Sequence, residues 1–122
     1  MKHKYIRELY PDKLPFPYDE EDYHDFDERD TFNLDVSLLM WLYECLRFFQ
    51  DEASKTVVMD DPTWHTFEID GEQLTQLQCI DRMVEDCKVA LLSDDFEERD
   101  KMDAAMRDLF KVLNEVYWCM WW

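Results

Sequence analysis

The chain has 122 residues, with 30 Asp and Glu against 13 Lys and Arg for a formal charge of −17, and is 47% hydrophobic and 16% aromatic. That much apolar material on a chain of this size predicts one folded domain over residues 1–122, not a disordered polymer. A single Gly excludes glycine-rich phosphate loops and argues against a many-turned β-sandwich, while the charge opposes direct contact with nucleic-acid phosphates or anionic lipid.

Residues 1–32 read as an N-terminal arm and residues 33–122 as a helical body. Lys2, Lys4, Arg7 and Lys13 give the arm a basic start, and Pro11, Pro15 and Pro17 bias it toward extended, irregular backbone. Tyr5, Ile6, Leu9, Tyr10, Leu14 and Phe16 are the side chains available to pin it to the body. Acid then dominates residues 19–30, through Asp19, Glu20, Glu21, Asp22, Asp25, Asp27, Glu28 and Asp30, broken by Tyr23, His24, Phe26 and Arg29. This run reads either as a solvated loop tethered by its aromatics or as a binding surface.

Residues 33–53 read as the first helix of the body, with Asn33 at the N-cap and Asp35 in the first turn. Ser37, Glu44, Arg47 and Asp51 fall on one narrow polar stripe; Leu38, Leu39, Trp41, Leu42, Cys45, Leu46 and Phe49 cover the rest, as in a central helix. Two β-branched segments, 56–59 and 65–69, flank a turn signal at Asp60, Asp61 and Pro62 and suggest either a small hairpin or an extended connection. Asp70 and Gln73 have capping-box spacing, which predicts a second helix from there to Leu92, buried along Leu77, Ile80, Val84, Cys87 and Leu91. Asp81, Glu85 and Asp86 are then expected to face solvent.

Ser93, Asp94 and Asp95 break that helix and begin a third, in which Met102, Met106, Leu109, Leu113, Val116 and Met120 recur at helical spacing. Glu97, Glu98, Asp100 and Asp103 suit the positive end of its dipole. At its far end Tyr117, Trp118, Trp121 and Trp122 either close the core or anchor a homodimer. The fold class expected is therefore mainly α: a three-helix body, an irregular acidic N-terminal arm, and a small β-hairpin between the body's first two helices.

Little in the sequence supports catalysis. His3, His24 and His65 lie outside the helices and have no nucleophile motif around them, and the metal-binding signatures HExxH and DxDxDG are missing. No cofactor and no metal are expected. Cys45, Cys79, Cys87 and Cys119 lack zinc or disulfide spacing and read as reduced core thiols. With no apolar run of membrane-spanning length and no leader-like start, the expected location is the cytoplasm.

The stretches FDERDTFNLDVSLLMWLYECLRFF and HTFEIDGEQLTQLQCIDRMVEDC resemble small acidic proteins encoded by bacteriophages and prophages, across roughly residues 26–120. That resemblance implies a class that includes anti-CRISPR and other anti-defence inhibitors, some of which mimic nucleic acid. On this reading the partner is a basic nucleic-acid-binding protein of the host, such as a defence nuclease. The contact residues are Asp19, Glu20, Glu21, Asp22, Tyr23, Asp25, Phe26, Asp27, Glu28, Asp94, Asp95, Glu97 and Glu98. The alternative is a small assembly factor joined through Trp118, Trp121 and Trp122, its acids serving solubility.

Overall fold

The computed structural model describes residues 3–15, 28–31, 33–53, 55, 61, 65–94 and 96–120. The elements are α1 (Ile6–Leu9), a 3₁₀ turn (Glu28–Thr31), α2 (Leu34–Ala53), β1 (Thr66–Ile69), β2 (Glu72–Thr75), α3 (Gln76–Leu92), α4 (Arg99–Val116) and a closing 3₁₀ turn (Tyr117–Cys119). The fold is mainly helical, and a small two-stranded antiparallel sheet lies between α2 and α3.

In place of a wholly irregular arm, the N-terminal segment contains the helical turn α1, and Tyr5, Ile6 and Leu14 are buried in the core. The polar stripe of α2 explains this. Backbone N–H groups at the start of a helix have no partner within it, and a carboxylate satisfies them. Glu44 does so from α2, accepting from the N–H groups of Tyr5 at 2.9 Å and Ile6 at 2.8 Å. Two turns further along, the Tyr5 hydroxyl donates to Asp51 at 2.7 Å, while Arg47 between them lies 4.9 Å from the centre of the Tyr5 ring and 3.6 Å from Glu8. The stripe is the track on which the N-terminal segment docks, so α2 is covered by core on one side and by this segment on another.

The hairpin differs from the sequence reading. β1 pairs with β2, Ile69 opposite Glu72, around a two-residue turn at Asp70 and Gly71. Both turn residues have positive φ, 54° and 81°, the geometry of the Asp-Gly turns that match strand twist. Positive φ also disqualifies Asp70 as an N-cap, which needs extended backbone. The capping box forms instead at Thr75 and Gln78: the Thr75 hydroxyl accepts from the Gln78 N–H at 3.2 Å, and the Gln78 side chain accepts from the Thr75 N–H at 2.8 Å. Segment 56–59, the expected first strand, lies outside the described residues. Phe67 and Ile69 alternate inward and cover the base of the bundle.

α3 buries Cys79, Ile80, Met83, Cys87 and Ala90, with Leu77, Val84 and Leu91 half-buried beside them, so its inward face is rotated from the one the spacing suggested. α4 buries Ala105, Leu109, Val112 and Val116, and it ends at Val116 instead of running on to the C-terminus. Of the cysteines, Cys79, Cys87 and Cys119 are buried thiols, but Cys45 is exposed. Among the described residues, no helix is long and apolar enough to cross a membrane.

Candidate functional site

The three long helices alternate in direction. Gln50 near the end of α2 bonds Asp81 near the start of α3, and Gln76 at the start of α3 donates to the Cys119 carbonyl beyond the end of α4 at 2.9 Å. At 1.5 Å rise per residue, α2 from Gln50 back to Leu34 measures about 24 Å and α3 from Asp81 to Leu92 about 16 Å. The start of α2 therefore reaches to or past the turn joining α3 to α4. Glu28 and Asp35, just before and at the start of α2, and Asp94, Glu97 and Glu98, just before α4, thus share an end of the bundle.

Of the acids named from the sequence, Glu28, Asp94, Glu97 and Glu98 are described at this end, while Asp19, Glu20, Glu21, Asp22, Asp25, Asp27 and Asp95, with Tyr23 and Phe26, lie outside the described residues. The α3–α4 turn is tightly organised. Asp94 Oδ1 accepts from the N–H groups of Phe96 and Glu97, each at 2.9 Å, and Glu98 accepts from the Asp94 N–H at 3.0 Å. Those backbone donors hold the Asp94 carboxyl below its ordinary range, and the Asp94 N–H followed by Lys101 does the same for Glu98. Glu97 and Glu98 therefore precede α4, which starts at Arg99, instead of lying in its first turn.

Part of this acid is structural, since the positive ends of α2 and α4 favour nearby anions. Part remains uncompensated. Among the described residues Glu28, Asp35, Glu97 and Asp100 form no ion pair, although at the same end Lys101 pairs with Glu98 and Arg99 with Asp103; elsewhere in the bundle Arg47 pairs with Asp51 and Arg82 with Asp108. α4 itself is balanced, with Asp100, Asp103, Asp108 and Glu115 against Arg99, Lys101, Arg107 and Lys111. The negative charge is thus concentrated in connections and ends, not spread evenly over the helices.

The same end displays apolar side chains. Phe96 is 94% exposed at the apex of the α3–α4 turn, its N–H fixed by Asp94, and Leu34 and Leu92 stand at 60% and 50%. The sequence reading missed Phe96. Its signal was present, a large aromatic isolated among acids and out of phase with the α4 spacing.

A second concentration of charge lies between the hairpin, α3 and α4. Arg82 donates to Asp108 through Nε at 2.8 Å and again through Nη2, and to Asp70 in the hairpin turn at 2.9 Å; Lys111 also holds Asp70, at 2.9 Å. Lys111 and Arg82 pull the Asp70 carboxyl below its usual range. Asp86, expected to face solvent, turns instead toward Asp108.

At the opposite end Trp118 rests edge-on against His65, ring centres 5.5 Å apart, and against Phe67 at 6.1 Å, and its Nε1 donates to the Glu115 carbonyl at 3.0 Å. Trp118 and Tyr117 remain 57% and 65% exposed; Trp121 and Trp122 lie outside the described residues. Among the described residues, no group of three His, Cys, Asp or Glu side chains is arranged to hold a metal ion. No family model, curated protein or solved structure matches the chain.

Proposed function

We propose that this chain is a phage-encoded acidic inhibitor that occupies the cationic, nucleic-acid-binding surface of a host defence nuclease, of the CRISPR effector kind. The observation carrying this reading is the convergence of uncompensated acids at one end of a rigid bundle, around an exposed and positioned Phe96. Carboxylates fixed on a folded surface stand in for phosphates, which repeat about every 1.7 Å along duplex DNA. Phe96 supplies what pure charge lacks, an apolar anchor that makes the contact specific. No step of chemistry is required, because occupation of the groove excludes guide or target.

The test is displacement of labelled duplex DNA from purified defence nucleases, followed by fluorescence anisotropy. The reading expects displacement that weakens steeply with salt and is reversed by excess DNA. A tight complex indifferent to both would contradict it.

A second reading, an oligomeric assembly factor, is favoured by one observation. Leu34, Leu38, Trp41 and Cys45 follow each other at four- and three-residue steps along α2, the spacing of a helix-pairing seam, and all are exposed. Together with exposed Trp118 they offer apolar area to a second copy. Sedimentation equilibrium separates the readings: a salt-stable oligomer dissociated by Trp41→Ala or Trp118→Ala, without nuclease inhibition, supports assembly.

A further inference from the structure

Two carboxyl groups meet where α3 packs on α4. Asp86 stands one helical turn after Arg82 on α3, and Asp108 faces both from α4. Asp108 is taken by cations on one side: Arg82 forks onto it through Nε at 2.8 Å and Nη2, and Lys111 lies 3.9 Å away. On its other side lies Asp86, whose Oδ2 is buried and meets no donor among the described residues. Two ionised carboxylates in this arrangement are two acceptors pressed together with nothing between them, an unpaired buried charge facing a like charge. One proton placed between them turns the clash into a charge-assisted hydrogen bond.

The charged and titratable groups facing Asp86 are Asp108 from α4, and Arg82, Glu85 and Cys87 from α3. Arg82 is already committed to Asp108 and to Asp70, and Lys111 reaches the pair only through Asp108 and Asp70. Glu85 adds repulsion. We propose that Asp86 and Asp108 share one proton and act as a latch between α3 and α4, which loosens when that proton leaves in mildly alkaline solution.

The electrostatics agree with the geometry. Burial, then the bond to Asp108, push the Asp86 carboxyl up to about 8, and the Arg82 fork holds Asp108 down at about 2. A group raised on folding keeps its proton in the folded chain while the unfolded chain has lost it. The stabilisation is then complete below the ordinary carboxyl range, near pH 4, and is lost progressively as pH rises through about 8. Asp108 works in the opposite sense, its contribution disappearing only as pH falls toward about 2.

Asp86→Asn tests the latch, because the amide keeps the shape and donates N–H to Asp108 without titrating. Thermal midpoints of the full chain are measured from pH 5.5 to 9. The wild type is expected to lose midpoint steadily and level off beyond about pH 8, with the D86N profile markedly flatter across the same range. In parallel, carbon-13 NMR of the wild type follows the side-chain carboxyls, and that of Asp86 is expected to titrate last among the acids. Parallel midpoint profiles, or an Asp86 carboxyl that titrates with the others near pH 4, would overturn the proposal. The NMR titration decides alone if D86N does not fold.

Discussion

Tyr5 shows how much one side chain can hold in a chain this charged. Its ring is buried, its N–H is taken by Glu44, and its hydroxyl donates to Asp51 at 2.7 Å. That bond, with burial behind it, pushes the phenol up to about 12. The folded chain therefore keeps the phenol proton above the ordinary tyrosine value near 10, and the contribution is lost as pH rises through about 12. Tyr5→Phe removes the hydroxyl and leaves the ring, so urea unfolding at pH 7 should show a loss of about 1 kcal/mol. The thiols supply a second prediction at this scale. Burial raises Cys79 to about 11 and Cys87 to about 12, and also raises Cys119. Ellman titration of the native chain should find Cys45 reacting first, with the buried three released only on unfolding.

Among the elements, the hairpin is the most sensitive to a single atom. Gly71 holds φ of 81° with open space around its would-be Cβ, so Gly71→Ala meets no clash and pays only in backbone strain. The expected cost is about 1–2 kcal/mol, with Gly71→Asn milder because Asn tolerates this conformation. Thr75→Ala, which removes the α3 cap, should cost about 1 kcal/mol in the same urea assay.

These elements also show what was legible in the sequence. All three long helices could be read from apolar spacing, because burying one face is a local pattern imposed on 3.6-residue periodicity. The hairpin could be read only by type. Asp70 and Gln73 satisfy capping-box spacing as well as Thr75 and Gln78 do, and the choice falls to the Asp-Gly turn, whose positive φ forbids the first. Asp86 was misread as solvent-facing, and the polar stripe of α2 was read without its partner, for a different reason. Their partners, Asp108 and Tyr5, lie 22 and up to 46 residues away, and no local pattern announces a contact at that range. The acidic end was half legible: its composition was plain, but the juxtaposition of residue 28 with residues 94–98 depends on helix direction.

For the whole molecule, the distribution of charge matters more than its sum. Pairs such as Arg47 with Asp51 and Arg82 with Asp108, and the balanced α4, keep repulsion away from the helix contacts, while Glu28, Asp35, Glu97 and Asp100 form no ion pair among the described residues at one end, beside the Lys101–Glu98 and Arg99–Asp103 pairs. Charge reversal there should leave stability within about 0.5 kcal/mol, as for exposed surface substitutions generally, and act on association instead. Glu28→Lys and Glu97→Lys come from stretches far apart in the chain. If they contribute to one surface, each should weaken binding and flatten its salt dependence, whereas Glu115→Lys at the opposite end should change neither.

The most direct measurement is DNA cleavage by a panel of purified host defence nucleases, CRISPR effectors included, with the wild-type chain, a Phe96→Ala, Glu97→Lys variant and Glu115→Lys each added in turn. The account predicts that wild type and Glu115→Lys suppress cleavage by at least one nuclease at low salt, and that the double variant, still folded by circular dichroism, loses most of that suppression. Suppression retained in full by the double variant, or absent with every nuclease, would contradict it.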